Sequence, residues 1–526
     1  MKASVLAPES LESLLRGNAA DKIRRARKAE KYALLSFGGG SCPKVVGRQA
    51  RDFGWKDMCF LTNGSDNGGS TQKIAEALRR DYGPTLPVGD VTSALIGLLD
   101  PFRYSLLNLR GWKLDPGRFT KEEQAAFLAE AQRHSTFSAR LQVAIRWHLK
   151  KFEDSDADMT ARERFCAELT EAGRLVDSSG LIRPGVKGLD ISEASIRHHV
   201  FNALMMRIGA YDPARKTPDS DRFMVGLALL QKAFSIEHAV FPCSIDEQVL
   251  YAEWMDKTGK VVWTTKQTTP ERPVVATGGQ VALSNAPDSV KRLADGSLAR
   301  YGKYGFDPAR PQPKPNPEAL AAIALVKTGA PILYGPSSFV ASISPCLAVS
   351  GISAELAKRA DCPKILFMNL TLNSETVGWT VADYLDFWEL NTGMQVSKTI
   401  DYVVVNNLVE GAEGVAAALT DKGDTLETFK FRGPVKLSDA ERAALPKRGV
   451  NIVEAPLASV SQELMRLSSA GEREFAWVPS HSSALLMQVC RLLVKDFAAR
   501  SKPLPARDKL ALDTSGKPDV VIFRKK

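Results

Sequence analysis

The sequence predicts an α/β protein built on a parallel sheet with helices on both faces. Short apolar runs are typical of buried strands, as in "YALLSF", "DMCFLT", "PILYG", "KILFMNL" and "DYVVVNN". Loops rich in Gly, Ser or Asn follow these runs, and helical spacing returns after the loops. This alternation of strand, turn and helix is what predicts the fold class.

The composition is ordinary for a soluble globular protein with more than one lobe. Of 526 residues, 44% are hydrophobic and 25% are charged. The seven Cys form no Cys-x-x-Cys pair, so we expect buried, reduced thiols and no zinc site. The start lacks the apolar segment of a signal peptide, and Gly, Pro and Ser interrupt the longest uncharged stretch, 329–354. We therefore predict a cytoplasmic protein without a membrane partner.

The net charge of +10 suits an anionic small molecule, and equally suits no special partner. Residues 1–31 are predicted to form a helical N-terminal extension. Its charge run, "DKIRRARKAEK", carries no aromatic residue on which a single strand could stack. We interpret the run as a solvated helix face and expect no nucleic-acid partner.

The remaining elements define a core with additions. The core is predicted over 32–407, beginning with a strand, a helix whose first turn contains Pro43, and a second strand. Helical spacing from about 103 to 195 predicts a helical insertion. Short strands, a Pro-rich connector and three buried parallel strands follow. Residues 408–526 are predicted to complete the core and add a tail with one helix.

The first loop of interest is "FGGGSCP", at the carboxyl end of a predicted strand, where ligands bind in open α/β sheets. Its glycines let backbone N–H groups approach a phosphate, and the next helix N-terminus favours negative charge. Pro43 breaks the dinucleotide fingerprint, and a tight structural turn is nearly as good an explanation. The candidate phosphate-binding residues are Gly38, Gly39, Gly40 and Ser41.

The second loop, "TNGSDNGGST", follows the next strand. The carboxylate of Asp66 can hold Mg²⁺ or a ribose hydroxyl there, and a structural Asx-turn is the alternative. Gly68 and Gly69 allow a nest of N–H groups for a phosphate, and Ser70 can cap the next helix. Gly68, Gly69 and Ser70 are candidate phosphate-binding residues.

The third loop, "LYGPSSFVASISP", ends a strand at Gly335 and starts a turn at Pro336. Ser338 and Ser342 are predicted on one face of the following helix, where hydroxyls suit an anion. Simple N-capping of that helix by Ser337 or Ser338 is the alternative. All five residues are candidates for phosphate binding.

The fourth loop and one helix supply candidate substrate-binding residues. Asn369, Glu375 and Thr376 crowd the end of a strand, where helix capping by Ser374 or Thr376 competes with a binding role. His198 and Asn202 share a helix face, although a lone His on such a helix is usually structural. No G-x-S-x-G, H-E-x-x-H or Walker motif supports acyl transfer, zinc hydrolysis or a P-loop.

In their order along the chain, these segments resemble the 2-phospho-L-lactate transferase (CofD) family and its gluconeogenesis-factor or UDP-sugar-binding (YvcK-type) relatives. The matching segments are "GGGSCP", "SDNGGST", "VGDVTSAL", "RHHVFN", "GPSSFVASISP" and "MNLTLNSETVG". The size is most similar to that of the CofD-like proteins of the so-called GAK gene system. The resemblance implies a Rossmann-like, CofD-like fold over about Tyr32 to Asn407.

The resemblance also implies a nucleotide-linked ligand of the GDP or UDP type. Asp66, as catalytic residue, and Asn67 would hold a Mg²⁺ ion, although Asn67 replaces the family's second Asp. Ser337 replaces a family glycine, Cys42 replaces the glycine after the loop Thr, and Arg197 flanks the His–Asn motif in place of a glycine. These departures put transfer of a phospholactyl group in doubt more than nucleotide binding.

Three functions follow as expectations. The first is a Mg²⁺-dependent transferase that moves a phosphoester group from a nucleoside diphosphate-linked donor to an acceptor hydroxyl. The second is a non-catalytic, YvcK-type regulatory protein that binds a UDP-sugar or another nucleotide. The third is a nicotinamide dehydrogenase, which the broken dinucleotide fingerprint disfavours. A homodimer is left open.

Overall fold

The computed structural model divides the chain into two compact units. One lies within Gly68–Ala239, and the other combines Lys31–Asn67 with Val240–Lys526. The structure describes residues 31–64, 78, 89–109, 111–114, 118–152, 159–182, 194–212, 214, 218–246, 249–255, 261–264, 274–275, 281–284, 313–372, 376, 379–407, 435–467, 473–500, 507–510 and 520–524.

The strands follow the order of the apolar runs. They are β1 Leu34–Phe37, β2 Met58–Thr62, β3 Ala239–Pro242, β4 Val249–Met255, β5 Val261–Thr264, β6 Val274–Val275, β7 Val281–Ser284, β8 Ile332–Tyr334, β9 Lys364–Phe367, β10 Tyr402–Asn406, β11 Asn451–Ala455, β12 Ala458–Leu467, β13 Arg473–His481, β14 Arg507–Leu510 and β15 Val520–Phe523.

Nine of these strands form one sheet in the order β14-β15-β11-β10-β9-β8-β1-β2-β3. The pairs from β11 through to β2 are parallel, and β15 pairs antiparallel with both β11 and β14. Every residue of β1 and β9 is buried, as expected for strands covered on both faces. The predicted α/β fold with a Rossmann-like, mostly parallel sheet is confirmed.

Two smaller sheets accompany the large one. β4 pairs antiparallel with β5, β6 and β7, and β12 and β13 form an antiparallel hairpin. The sequence-based prediction of a tail with a single helix was incomplete. The hairpin and the edge strands β14 and β15 are also present there. The apolar run of β15, Val520–Phe523, is a strand signal that the prediction left out.

The helices occupy both units. They are α1 Ser41–Ala50, α2 Gly89–Gly97, α3 Pro101–Leu107, α4 Lys121–Gln132, α5 Phe137–Lys151, α6 Met159–Ser178, α7 Ile196–Arg207, α8 Ser220–Ala233, α9 Pro317–Ala324, α10 Ser344–Ala348, α11 Ile352–Ala357, α12 Val381–Thr392, α13 Val396–Thr399, α14 Asp439–Ala444 and α15 Ser483–Ala498. Turns of 3₁₀-helix lie at Arg51–Phe53 and Leu445–Arg448, and a π-helical turn lies at Phe339–Ile343.

The helical region predicted from about 103 to 195 contains α3 to α6. Local capping explains where these helices start. The Asp100 side chain accepts from the backbone N–H of Arg103 at the start of α3, and Thr120 forms a reciprocal capping box with Glu123 at the start of α4. The predicted domain boundaries stay predictions.

Two further expectations concern cysteines and membranes. All seven Cys side chains are buried, as predicted. Within the described ranges, no helix combines the length and the apolar character needed to cross a membrane. The cytoplasmic location stays a prediction.

Candidate functional site

The candidate site lies where the strand order of the large sheet reverses direction. From β1 the chain moves to β2 on one side, and it later adds β8, β9, β10 and β11 in turn on the other side. The carboxyl ends of β1 and β8 therefore flank a topological switch point, which is where open α/β sheets bind ligands. The first and third loops of the sequence prediction follow these two strands.

The glycine loop after β1 is tightly packed. Gly38 donates its N–H to the carbonyl of Leu61 at 3.1 Å. A Cβ atom added at Gly38 would lie 2.7 Å from Cβ of Cys42 and 3.3 Å from Cβ of Ser337. A side chain at this position would force the loop to shift, because its Cβ would be too close to Cys42 and in tight contact with Ser337. Gly40 then precedes α1, which begins at Ser41.

A hydrogen bond joins this loop to the loop after β8. The N–H of Gly39 donates to Oγ of Ser337 at 2.8 Å. The structure thus brings two sequence-predicted phosphate loops together across the switch point. The Gly39 N–H is directed at the Ser337 hydroxyl, whose own proton remains available because an acceptor hydroxyl can still donate.

The turn after β8 depends on Gly335. This residue has φ +83, which favours glycine, and an added Cβ would lie 3.1 Å from the carbonyl oxygen of Phe367. Its N–H donates to the carbonyl of Phe37 at 2.9 Å, and a cis peptide bond joins it to Pro336. Gly335 and Pro336 therefore set the conformation of the turn after β8, the strand that lies between β1 and β9 in the sheet.

Ser338 serves as a helix cap. Its Oγ accepts from the N–H of Ala341 at 3.1 Å, at the start of the π-helical turn. The capping role that the sequence left open for Ser337 or Ser338 is thus confirmed for Ser338. The N–H of Ser342 donates to the carbonyl of Ser338 at 3.1 Å, and the Ser342 side chain is buried.

Asn63, at the end of β2, is a site residue that sequence reasoning missed. Its side chain is buried, and Nδ2 donates to the carbonyl of Ala341 at 2.8 Å. It therefore links the end of β2 to the turn after β8. The signal in the sequence was a polar residue directly after an apolar strand, but the carboxylate of Asp66 was the predicted ligand-binding group of this loop.

The fourth loop is described in part. Asn369 is half-buried two residues after β9, and Thr376 is buried, with its carbonyl accepting from the N–H of Trp379 at 3.1 Å. Ser374 lies outside the described residues, and the alternative that Thr376 caps the next helix was wrong. Thr380 caps α12, because its hydroxyl reaches the N–H of Asp383 at 3.3 Å and completes a capping box.

His481 is a second residue that sequence reasoning missed. Its Nε2 lies 3.2 Å from the carbonyl oxygen of Met368, directly after β9. Burial lowers the pKa of this imidazole to about 4. His481 is therefore neutral at pH 7. No sequence signal pointed to it, because 113 residues separate it from Met368.

His198 and Asn202 lie in the other compact unit and are described there alone. Both are buried on α7. Nδ1 of His198 lies 3.0 Å from Oγ of Ser195, and Nδ2 of Asn202 donates to the His198 carbonyl at 2.8 Å. Arg197 donates to the side chains of Asn108 and Ser93, which gives it protein partners.

The predicted metal site falls on the second loop. Asp66, Asn67, Gly68, Gly69 and Ser70 lie outside the described residues, and so does Glu375 of the fourth loop. Among the described residues, no group of three or more His, Cys, Asp or Glu could hold a metal ion. Mg²⁺ therefore remains a prediction that rests on the sequence.

Comparison with known proteins identifies the family. Residues 35–455 match the family described as 2-phospho-L-lactate transferase CofD. The chain belongs to this family. The match begins in β1, ends with β11 and includes every described strand of the parallel core. The resemblance inferred from the six motifs is thus confirmed.

Two solved structures of a UPF0052-family protein from Bacillus halodurans are similar to this chain. Both are 18% identical in sequence and have a TM-score of 0.48. One alignment covers 87% of this chain and 98% of the other, and the second covers 88% and 99%. A comparison with curated proteins finds no match.

Proposed function

We propose that this CofD-family protein binds a nucleotide-linked small molecule and transfers a phosphoester group from it to an acceptor hydroxyl. The observation that carries the proposal is the Gly39–Ser337 hydrogen bond of 2.8 Å, which joins two loops at the switch point of the parallel sheet. The phosphates of the ligand bind at these loops. The nucleotide is of the GDP or UDP type.

The chemistry of the loops suits an anion. Ser337 offers a hydroxyl proton, and α1 begins directly after the glycine loop, so its amino end adds partial positive charge. The glycines leave the backbone unshielded by side chains. The net charge of +10 favours the approach of an anionic ligand.

In the proposed transfer, the acceptor oxygen forms a bond to the donor phosphorus that is distal to the nucleoside and carries the group to be transferred. The bond from that phosphorus to the oxygen of the leaving nucleoside monophosphate breaks, and the acceptor hydroxyl loses its proton to solvent. Fixed donors at the two loops would stabilise the charge on the transferring phosphoryl group. Asp66 and Asn67 would hold Mg²⁺, which when bound neutralises charge on the diphosphate.

Calorimetry tests the binding step. We expect GDP or UDP-N-acetylglucosamine to bind with affinity that rises when Mg²⁺ is added, and NAD to bind weakly or not at all. Gly39→Val should abolish the binding, because its side chain occupies the space between the loops. Unchanged affinity in this variant would place the phosphates elsewhere, and tight NAD binding would favour a dehydrogenase.

Asp66→Asn tests the metal. We expect the variant to fold normally and to lose the Mg²⁺-dependent part of the affinity, because an amide is a weaker ligand for Mg²⁺ than a carboxylate. Circular dichroism provides the control for folding. Equal Mg²⁺ enhancement in wild type and variant would remove Asp66 from the proposed site.

The YvcK-type regulatory protein is the second candidate. Asn67 favours it, because it stands where the family's second Asp would supply another carboxylate. This candidate predicts metal-independent binding of UDP-N-acetylglucosamine and no release of nucleoside monophosphate with any acceptor. A homodimer remains an untested expectation.

A further inference from the structure

The hairpin β12–β13 lies just beyond the residues that match the CofD family. Its first strand starts at Ala458, three residues after the match ends at 455. Oδ1 of Asn406, the last residue of β10, accepts from the N–H groups of Leu457 at 2.9 Å and Ala458 at 3.2 Å. Ala458 pairs in register with His481. The end of β10 therefore anchors the base of the hairpin at the carboxyl edge of the sheet.

His481 extends from this base to the next strand. Because a carbonyl oxygen can only accept, Nε2 of His481 donates to Met368. The neutral imidazole then carries its lone pair on Nδ1. In the described part of the chain, the contact with Met368 is the hydrogen bond of this ring, and the residue keeps part of its surface exposed.

The partner of the ring lies next to the switch point. β9 pairs in parallel with β8, with Leu366 beside Tyr334, so Met368 follows the carboxyl end of the strand adjacent to β8. The loop after β8 carries Ser337, which is bonded to Gly39. The residue that holds His481 therefore lies one strand away from the loop that carries Ser337.

We propose that His481 is a ligand-contacting residue, which accepts through Nδ1 a hydrogen bond from a hydroxyl of the nucleotide-linked ligand. The inference rests on the proposed function. A neutral lone pair repels a phosphate oxygen but pairs with a hydroxyl proton. The lowered pKa keeps the imidazole neutral at pH 7. His481 thereby adds recognition of the uncharged part of the ligand to a site whose loops recognise phosphate.

Two hydroxyl-bearing parts are available, the ribose and a sugar attached to the diphosphate. Binding of GDP and 2′,3′-dideoxy-GDP reports on the ribose, and binding of UDP-N-acetylglucosamine and UDP reports on the sugar. Each pair is titrated with Mg²⁺ into wild type, His481→Gln and His481→Ala. His481→Ala removes both ring nitrogens, whereas the glutamine amide keeps an N–H donor for Met368 and offers its carbonyl oxygen as a replacement acceptor.

We expect one pair to show coupling. Loss of the hydroxyls should weaken binding to wild type about 5–10-fold, the effect of one hydrogen bond, and should change binding to His481→Ala little. The effect in His481→Gln should lie between these two, because the amide oxygen can accept in part. The thermal midpoint of His481→Gln should stay near that of wild type. If the glutamine variant unfolds, the same comparison is made with His481→Ala.

The outcomes separate this inference from the proposed function. If wild type binds a nucleotide and both pairs show equal hydroxyl effects in wild type and variants, His481 only clamps the hairpin to β9 and the inference is wrong. If wild type binds neither GDP nor UDP-N-acetylglucosamine, the proposed function fails and the inference fails with it.

Discussion

The two ends of the large parallel sheet differ in how they use polar groups. At the carboxyl ends of β1, β2 and β8, the described contacts are made by uncharged donors and acceptors, such as Gly39, Ser337 and Asn63. At the amino ends of β9 and β10, charged side chains are paired with each other. Lys364 and Asp401, for instance, are both buried and lie 3.4 Å apart.

At the amino ends of the parallel strands, called the amino edge below, an ion pair connects the residue after the C-terminal strand to α15. Arg524 follows β15 and donates to both carboxylate oxygens of Asp496 on α15, at 2.5 and 2.6 Å. The hydroxyl of Tyr402 donates to the same carboxylate at 2.6 Å. All three residues are buried. A buried carboxylate of this kind is tolerated only because it is paired and hydrogen-bonded.

The comparison indicates that the two ends of the strands have different roles, stability at the amino edge and ligand binding at the carboxyl ends. Buried charges that are neutralised by each other stabilise the fold but have little left to offer a ligand. Neutral N–H groups and hydroxyls cost less to bury and can be redirected to an incoming anion. We therefore expect substitutions at the amino edge to change stability, and substitutions at the carboxyl edge to change binding.

The largest effect is expected for Asp496→Ala. The change leaves Arg524 as a buried charge without its carboxylate and removes the acceptor of the Tyr402 hydroxyl. Loss of one partner from such a pair costs about 3–5 kcal/mol. A fall in the midpoint of urea unfolding measures it, while nucleotide affinity at 10 °C should be unchanged in the folded variant.

Glu355→Ala is the matched control for that prediction. Glu355 on α11 lies 2.6 Å from Lys358, the residue that follows this helix, and the side chains of Lys358 and Glu355 are 69% and 21% exposed. Exposed pairs of this kind contribute at most about 1 kcal/mol. If Asp496→Ala and Glu355→Ala lower the midpoint of urea unfolding equally, burial of the Asp496 pair does not explain its contribution to stability.

Gly38→Ala should have the next largest effect after Asp496→Ala, and its effect should be on binding. The new Cβ would lie 2.7 Å from Cβ of Cys42, so the glycine loop must move away from its present position. Overpacking of this degree costs about 1–3 kcal/mol, and the displaced loop should bind nucleotide at least about tenfold more weakly by calorimetry.

A second substitution makes the Gly38→Ala prediction specific. Cys42→Gly removes the atom that the new Cβ meets, and glycine is the residue that the resemblance places there. The double variant should recover part of the lost affinity, although glycine inside α1 costs about 1 kcal/mol of stability. Equal affinities of single and double variants would show that the clash with Cys42 is not the cause.

Acid should remove the stability contributed by His481, at the carboxyl ends of the strands, and by Asp496, at the amino edge, in different pH ranges. Burial lowers the pKa of His481 to about 4, below the ordinary value near 6.5. The unfolded chain therefore binds the proton first, and stability from His481 falls as the pH drops from about 6.5 to about 4. Between these pH values, the thermal midpoint should depend less on pH in His481→Gln than in wild type. An equal pH dependence in the two proteins would contradict the prediction.

Asp496 should act at lower pH. Burial raises its pKa, but hydrogen bonds from Arg524 and Tyr402 outweigh burial, and the pKa is lowered. Its contribution is complete above the ordinary carboxyl value of about 3.9 and is lost as the pH falls through the lower folded value. Asp496→Asn should flatten the decline below about pH 4 and leave the decline above it intact.

The two edges also differed in what the sequence could predict. The apolar runs and the loops after β1 and β8 are local patterns, so the fold class and the Gly38–Gly40 and Gly335–Ser338 loops were identified. Their hydrogen-bonded contact follows from the strand order, because adjacent parallel strands place their carboxyl ends side by side.

The amino-edge network could not be predicted, because its members are distant in sequence. Tyr402 and Asp496 are 94 residues apart, and Asp496 and Arg524 are 28 apart. The same reason hid His481. Asn63 was a different failure, since its position after β2 was visible but its partner, Ala341, depends on tertiary packing.

The smallest and most discriminating prediction compares two adjacent serines. Ser337→Ala removes the acceptor of the Gly39 N–H, so the two loops lose their direct link and the ligand loses a hydroxyl. Nucleotide binding should weaken about tenfold, the effect of one hydrogen bond to a charged group. Ser338→Ala removes a helix cap instead, and should lower stability by about 1 kcal/mol with little change in affinity.

Comparing Ser337→Ala with Ser338→Ala tests the position of the hydroxyl alone, because each variant loses the same single oxygen atom and the two residues are neighbours. Calorimetry with Mg²⁺ and GDP or UDP-N-acetylglucosamine gives the affinities, and thermal unfolding gives the stabilities. Ser337→Thr should retain affinity, since it keeps the hydroxyl. If Ser338→Ala weakens binding as much as Ser337→Ala, the link between Gly39 and Ser337 has no special role, and the phosphates depend on the π-helical turn after β8.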